Sequence, residues 1–176
     1  MKILVTYKSK TDFTKRYAEI IAKKTGARLL DFKDVTADIM SEFDTVVYGG
    51  GLYAGSVNGL NKAKEMFKNS SAKKFLIFAT GGTPNTVTED IETIWKTNLT
   101  AEELVSIPHF YMQAGMCYEK MSLASKAFMK MAAGALEKKH SQYDGSVEFN
   151  HSLRSSYDIS SPEYAEPLIK VLLENK

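Results

Sequence analysis

Three short stretches hold the residues whose types and spacing suit chemistry. In residues 8–14, Ser9, Thr11 and Thr14 set three hydroxyls around Lys10, Asp12 and Phe13, where an apolar run gives way to a helical pattern. A helix start leaves backbone N–H groups without intrahelical acceptors and carries partial positive charge. Hydroxyls placed there can bond a phosphate while the N–H groups cradle it. The plainer alternative is N-capping by Thr11 or Asp12, with nothing bound. In residues 49–59, glycines 49, 50, 51 and 55 surround Leu52, Tyr53 and Ala54. Glycines allow close backbone approach and positive φ, and an exposed aromatic can stack on a flat ring. In residues 80–85, Thr80, Gly81, Gly82 and Thr83 combine free N–H groups with hydroxyls, a set suited to a polar ring edge. Each stretch also reads as an ordinary turn when taken alone.

These stretches need a frame that brings them to one place. Residues 3–7, 45–48 and 74–79 are apolar runs with little alternation, as expected for strands covered on both faces. Residues 27–31 and 107–114 read as two further strands. Helical spacing or length marks 13–25, ended by Gly26, and also 60–67, 87–96, 121–136 and 162–173, with a brief helix or turn over 36–43. Glycines 49–51 are expected to stop the third strand, and Thr80, Gly81 and Gly82 the fourth. Thr86 or Thr88 is expected near the cap of the helix over 87–96. Strands alternating with helices require parallel crossovers and a doubly wound α/β sheet. The three stretches then follow strands one, three and four at one sheet edge, where such folds bind ligands.

The rest of the composition mostly excludes. A length of 176 residues with 44% hydrophobic and 25% charged residues fits a single globular domain over 1–176. The lone Cys117 forbids an internal disulfide and fits a reducing, cytoplasmic setting. The N-terminal apolar run is too short for a leader, and no stretch is long enough to span a bilayer. A net charge of +2 without a basic stripe argues against nucleic acid. His109, His140 and His151 lack metal-ligand spacing. No triphosphate loop or G-x-G-x-x-G pattern occurs. Five of the eight methionines lie within residues 112–131, and Met121, Ala124, Phe128, Met131, Ala132 and Ala135 share one helical face. That face packs on the sheet in the favoured reading; peripheral membrane contact is the alternative.

At this point the chain resembles the flavodoxin-like FMN proteins, whose T/S-x-T-G-x-T loop after strand one holds the FMN phosphate. Ser9, Thr11, Asp12 and Thr14 match its positions, with Asp12 replacing the glycine. The resemblance implies a five-stranded parallel sheet of order 2-1-3-4-5. It implies FMN contacts from Ser9, Lys10, Thr11, Asp12, Phe13 and Thr14, from Gly50, Gly51, Leu52, Tyr53, Ala54 and Gly55 over the ring, and from Thr80, Gly81, Gly82 and Thr83 at its edge. Gly50-Gly51-Leu52-Tyr53, Gln113-Ala114-Gly115-Met116 and the Met-rich 129–134 also resemble the group that includes the menaquinone-dependent protoporphyrinogen oxidase. The implied function is an FMN oxidoreductase acting on a small apolar or quinone-type molecule. The alternatives are an electron carrier between redox proteins and a binding module without FMN. The flavin supplies the redox chemistry in the first two, so no side chain is nominated as catalytic. The near-neutral charge departs from the strongly acidic carriers of this family.

Overall fold

The computed structural model describes residues 1–119, 123, 126, 127, 131 and 156–174. The chain divides into two compact units, Met1–Ala114 with Ser160–Lys176, and Gly115–Ile159.

The first unit is an α/β sheet layered with helices. Its strands are β1 (Ile3–Lys8), β2 (Arg28–Asp31), β3 (Thr45–Tyr53), β4 (Ser56–Val57), β5 (Lys74–Gly81) and β6 (His109–Gln113). Its helices are α1 (Phe13–Thr25), α2 (Ala37–Ser41), α3 (Leu60–Lys68), α4 (Thr88–Asn98), α5 (Ala101–Ser106) and α6 (Glu166–Glu174). The parallel order is β2-β1-β3-β5-β6, with the two-residue β4 antiparallel to the end of β3. This is the expected 2-1-3-4-5 order once β4 is counted, so the sheet has six strands instead of five.

Consecutive residues of β1, β3 and β5 are buried, because helices cover both faces of the sheet. One layer gathers Leu4, Phe32, Tyr48, Ile77, Trp95 and Leu99. In α1 the buried residues Phe13, Thr14, Tyr17, Ala18, Ile21, Ala22 and Thr25 form one face at helical spacing. Gly26 ends α1 in the left-handed conformation, φ 67°, and its N–H bonds Ala22 O. Tyr17 and Ile21 lose nearly all exposure, each contributing roughly 1.5–3 kcal/mol of apolar burial.

Three expectations change. Glycines 49–51 do not stop β3; they continue it, pairing with Phe78, Ala79 and Thr80 of β5. The cause is packing across the sheet. A Cβ at Gly49 would lie 2.0 Å from Phe78 Cζ, and one at Gly50 2.5 Å from Val57 Cγ1. Likewise β5 runs through Thr80 and Gly81. The cap of α4 is Val87, with no side-chain bond, instead of either threonine. Helix α5, not anticipated, starts with a capping box in which Thr100 and Glu103 satisfy each other's backbone N–H groups. The C-terminal helix opens with a 3-10 turn, Pro162–Ala165, before α6.

In the second unit, β7 (Gly115–Met116) pairs antiparallel with β8 (Tyr157–Asp158). Tyr118 N donates to Ser156 Oγ at 2.8 Å, and Ser156 Oγ bonds Glu119. That bond holds the Glu119 carboxyl below its ordinary pKa. Burial pushes the Tyr157 phenol up. Leu123, Lys126, Ala127 and Met131 are helical; the rest of the expected helix 121–136 lies outside the described residues, and with it most of the methionine face. Among the described residues, no helix is long and apolar enough to cross a membrane.

Candidate functional site

The parallel register decides where the three stretches go. Lys8 at the end of β1 sits beside Gly50, and Gly51 beside Thr80, which neighbours Met112. The carboxyl ends of β1, β3 and β5 therefore meet at one edge. Side chains confirm the convergence. Thr14 and Thr80 share a buried hydroxyl–hydroxyl bond of 2.7 Å. A Cβ on Gly51 would lie 3.3 Å from Thr14 Oγ1 and 3.8 Å from Thr80 Oγ1.

The turn between β1 and α1 is built around Asp12, which caps the helix in the left-handed conformation with φ 68°. Aspartate tolerates that region better than most residues, though glycine has no Cβ penalty there at all. Asp12 is exposed and its side chain makes no capping bond. Capping by Thr11 or Asp12, the plainer reading of this turn, is therefore not what these side chains do. No acid occupies the first turn of α1. Residues 8–16 carry the bases Lys8, Lys10, Lys15 and Arg16 and the single acid Asp12. Arg16 lies over the Phe13 ring at 5.4 Å and donates to Ser160 Oγ at 2.9 Å. Ser9 is the notable member. Its Oγ is buried and has no hydrogen-bond partner. A buried hydroxyl left unmatched costs free energy.

The second stretch is a β-hairpin. Ala54 and Gly55 form its two-residue turn with φ 48° and 81°. Positive φ at both positions is what a type I′ hairpin turn needs. Tyr53 sits beside this turn, 53% exposed, with the Lys10 ammonium 5.0 Å from its ring centre. The first and second stretches thus touch. At the base of the hairpin, Tyr48 OH donates to Asn58 O, and burial pushes its phenol well above the usual value.

The third stretch is held from β6. Tyr111 OH donates to Thr83 O at 2.9 Å. Asn85 and Gln113 exchange bonds: Asn85 N donates to Gln113 Oε1 at 2.7 Å, and Gln113 N to Asn85 Oδ1 at 2.9 Å. Ala114 N donates to Gly81 O at 2.8 Å. Tyr17 OH in turn donates to Gln113 O at 2.5 Å and accepts from Ser161 N at 3.2 Å, tying α1 to β6. Tyr111 and Asn98 are not singled out in the sequence reading, and the pairing of Asn85 with Gln113 is not foreseen there although both residues lie in stretches it names. An isolated amide or phenol leaves no pattern, and only the partner's position gives it meaning.

A family model described as the flavodoxin domain matches residues 4–143. The chain belongs to the flavodoxin-domain family. This flavodoxin domain shares fold-level likeness with solved structures. A flavodoxin from the domain Archaea is 21% identical, covering 63% of this chain and 85% of its own, with a TM-score of 0.39. The WrbA-like flavodoxin from Agrobacterium tumefaciens is 14% identical over 99% of both chains, TM-score 0.43. A flavoprotein from Lactobacillus acidophilus NCFM, solved in complex with FMN, is 14% identical over 64% of this chain and 91% of its own, TM-score 0.44. No curated protein matches the chain. Among the described residues no His, Cys, Asp and Glu cluster could hold a metal.

Proposed function

We propose that this flavodoxin domain binds FMN at the meeting point of its three stretches and passes electrons between it and a small apolar or quinone-type molecule. The observation that carries the reading is the unmatched Ser9 hydroxyl, buried in the turn between β1 and α1. A phosphate monoester supplies the acceptors this turn lacks. Ser9 Oγ and the first N–H groups of α1 would hold the phosphate, with Lys8 and Lys10 balancing its charge. Tyr53 on the hairpin offers a stacking face, and Thr83, whose carbonyl is taken by Tyr111, offers its hydroxyl and N–H for a ring edge. FMN, when bound, supplies uptake and release of one or two electrons.

A small-molecule acceptor is favoured over a protein partner by the charge balance. A formal charge of +2 gives no broad acidic field to steer a basic redox protein. The likeness of Gly50-Gly51-Leu52-Tyr53 and 113–116 to the protoporphyrinogen oxidase group makes menaquinone analogues the first acceptors to try. Titration with FMN and, separately, riboflavin tests the cofactor. Retention of FMN over riboflavin by 10-fold or more supports the phosphate site, and equal weak binding opposes it. Quinone reduction by the FMN-loaded protein with a chemical reductant, without any partner protein, then tests the substrate class; turnover that needs an added redox protein would favour a carrier.

A further inference from the structure

We infer that Asn98 is the positioning residue for the Tyr53 hairpin, and that through it Asn98 sets how well the site grips a flat ring. The inference rests on the proposed flavin site for its ligand, but its geometry stands apart from that site. Strand β4 has only two residues, and a hairpin that short is not stable by itself. One edge of the returning arm pairs with β3, Leu52 with Val57 and Tyr53 with Ser56. The Asn98 amide takes the other edge. Its Nδ2 donates to Gly55 O at 2.7 Å, and its Oδ1 accepts from Val57 N at 2.8 Å. A carbonyl at one residue and an N–H two residues on are what a neighbouring strand would engage. Asn98 thus does the work of a third strand with one side chain.

The amide is itself fixed. The second Nδ2 hydrogen goes to Ile94 O at 2.8 Å, so both donors are used. Lys64 Nζ reaches Asn98 O at 3.4 Å and Glu103 Oε2 at 2.8 Å, and Glu103 belongs to the capping box of α5. The turn it holds needs holding, because Ala54 sits at φ 48°, which an alanine adopts only at a cost. Tyr53, the exposed aromatic, adjoins that turn. Freed from Asn98, the turn can relax and carry Tyr53 with it.

The test uses Asn98→Ala and Asn98→Asp. The aspartate keeps an acceptor for Val57 N but sets a carboxylate against the Gly55 and Ile94 carbonyls. Both variants should weaken FMN and riboflavin by the same factor, about 10-fold, since the ring contact and not the phosphate contact is lost. Both should also leave bound flavin more fluorescent than in the wild type. In flavin-free Asn98→Ala, which removes the acceptor, the Val57 amide should exchange at least 10-fold faster with solvent. Weakened FMN with unchanged riboflavin would overturn the inference, as would a lower melting temperature with unchanged flavin affinity and emission. If the wild type binds neither flavin, the proposed cofactor fails, and amide exchange alone decides the clamp: unchanged Val57 protection refutes it.

Discussion

Replacing Ser9 with alanine should move stability and ligand affinity in opposite directions. The Ser9 hydroxyl is buried and unpaired without a ligand. Leaving such a group unmatched costs about 1–3 kcal/mol. Alanine keeps the Cβ and removes only the oxygen, so little packing is lost. We take the lower end, about 1 kcal/mol, because the residue is only half-buried even though its oxygen is not exposed. Flavin-free Ser9→Ala should therefore be more stable by about 1 kcal/mol, a rise of roughly 2–4 °C in Tm for a chain of this length. With FMN the sign reverses. A hydrogen bond to a charged acceptor contributes about 1.5–3 kcal/mol, so its loss weakens FMN about 10- to 100-fold. Riboflavin, without a phosphate, should bind Ser9→Ala as it binds the wild type. The assays are urea unfolding of flavin-free protein and fluorescence titration with both flavins. Thr6 Oγ1 supplies the control, being buried and unpaired inside β1. Thr6→Val should also stabilise the flavin-free protein while leaving both affinities unchanged. If Ser9→Ala destabilises the flavin-free protein, or leaves FMN affinity intact, the link from orphaned hydroxyl to phosphate is wrong.

Further outcomes follow from particular side chains. Asp12→Asn keeps a residue tolerant of φ 68° and removes the charge; it should tighten FMN about 2- to 5-fold at low salt, as expected for an exposed charge pair, and titrations at two ionic strengths would show it. Weaker FMN in this variant would mean the carboxylate assists binding. Ala54→Asn should stabilise the protein by about 0.5–1 kcal/mol, since Asn-Gly suits a type I′ turn better than Ala-Gly; urea midpoints with unchanged slope would verify it. For Glu103, burial pushes the carboxyl up, but the Lys64 ammonium and the Thr100 N–H outweigh it, so the pKa lies below the ordinary 4.5. The group then adds stability above its unfolded pKa and loses it as pH falls through the folded one. Glu103→Gln should cost up to about 1 kcal/mol at pH 7, with the difference from wild type closing below about pH 4.5. A pH-independent difference in unfolding free energy would contradict this.

The fold was legible because its signals are local. Ile3, Leu4 and Val5, or Phe75, Leu76 and Ile77, have no polar face, and only a sheet covered on both sides accommodates that. The spacing of Phe13, Tyr17 and Ile21 likewise needs no partner to be read. The errors arise where a distant residue decides. Gly49 looks like a strand stop until the Phe78 ring is seen to fill the space of its missing side chain. Gly50 is small for Val57, which comes back on an unforeseen two-residue strand. The start of α5 differs in kind, because Thr100 and Glu103 have the capping-box spacing in the sequence itself. At the site, hydroxyls and glycines stood out by composition, whereas their supports did not. Nothing local marks Asn98 as the partner of Gly55 and Val57, or Gln113 as that of Asn85. The substitution of Asp12 for glycine was visible, but its left-handed backbone and outward exposure were not.

The most direct test of the account is a side-by-side titration of flavin-free protein with FMN and riboflavin, followed by flavin fluorescence. The account predicts saturable FMN binding with quenched emission and riboflavin at least 10-fold weaker. The difference should shrink as salt rises and narrow about 10- to 100-fold in Ser9→Ala. FMN that fails to bind at high micromolar concentration, or that binds no better than riboflavin, would contradict the claim that the turn after β1 is built for a phosphate.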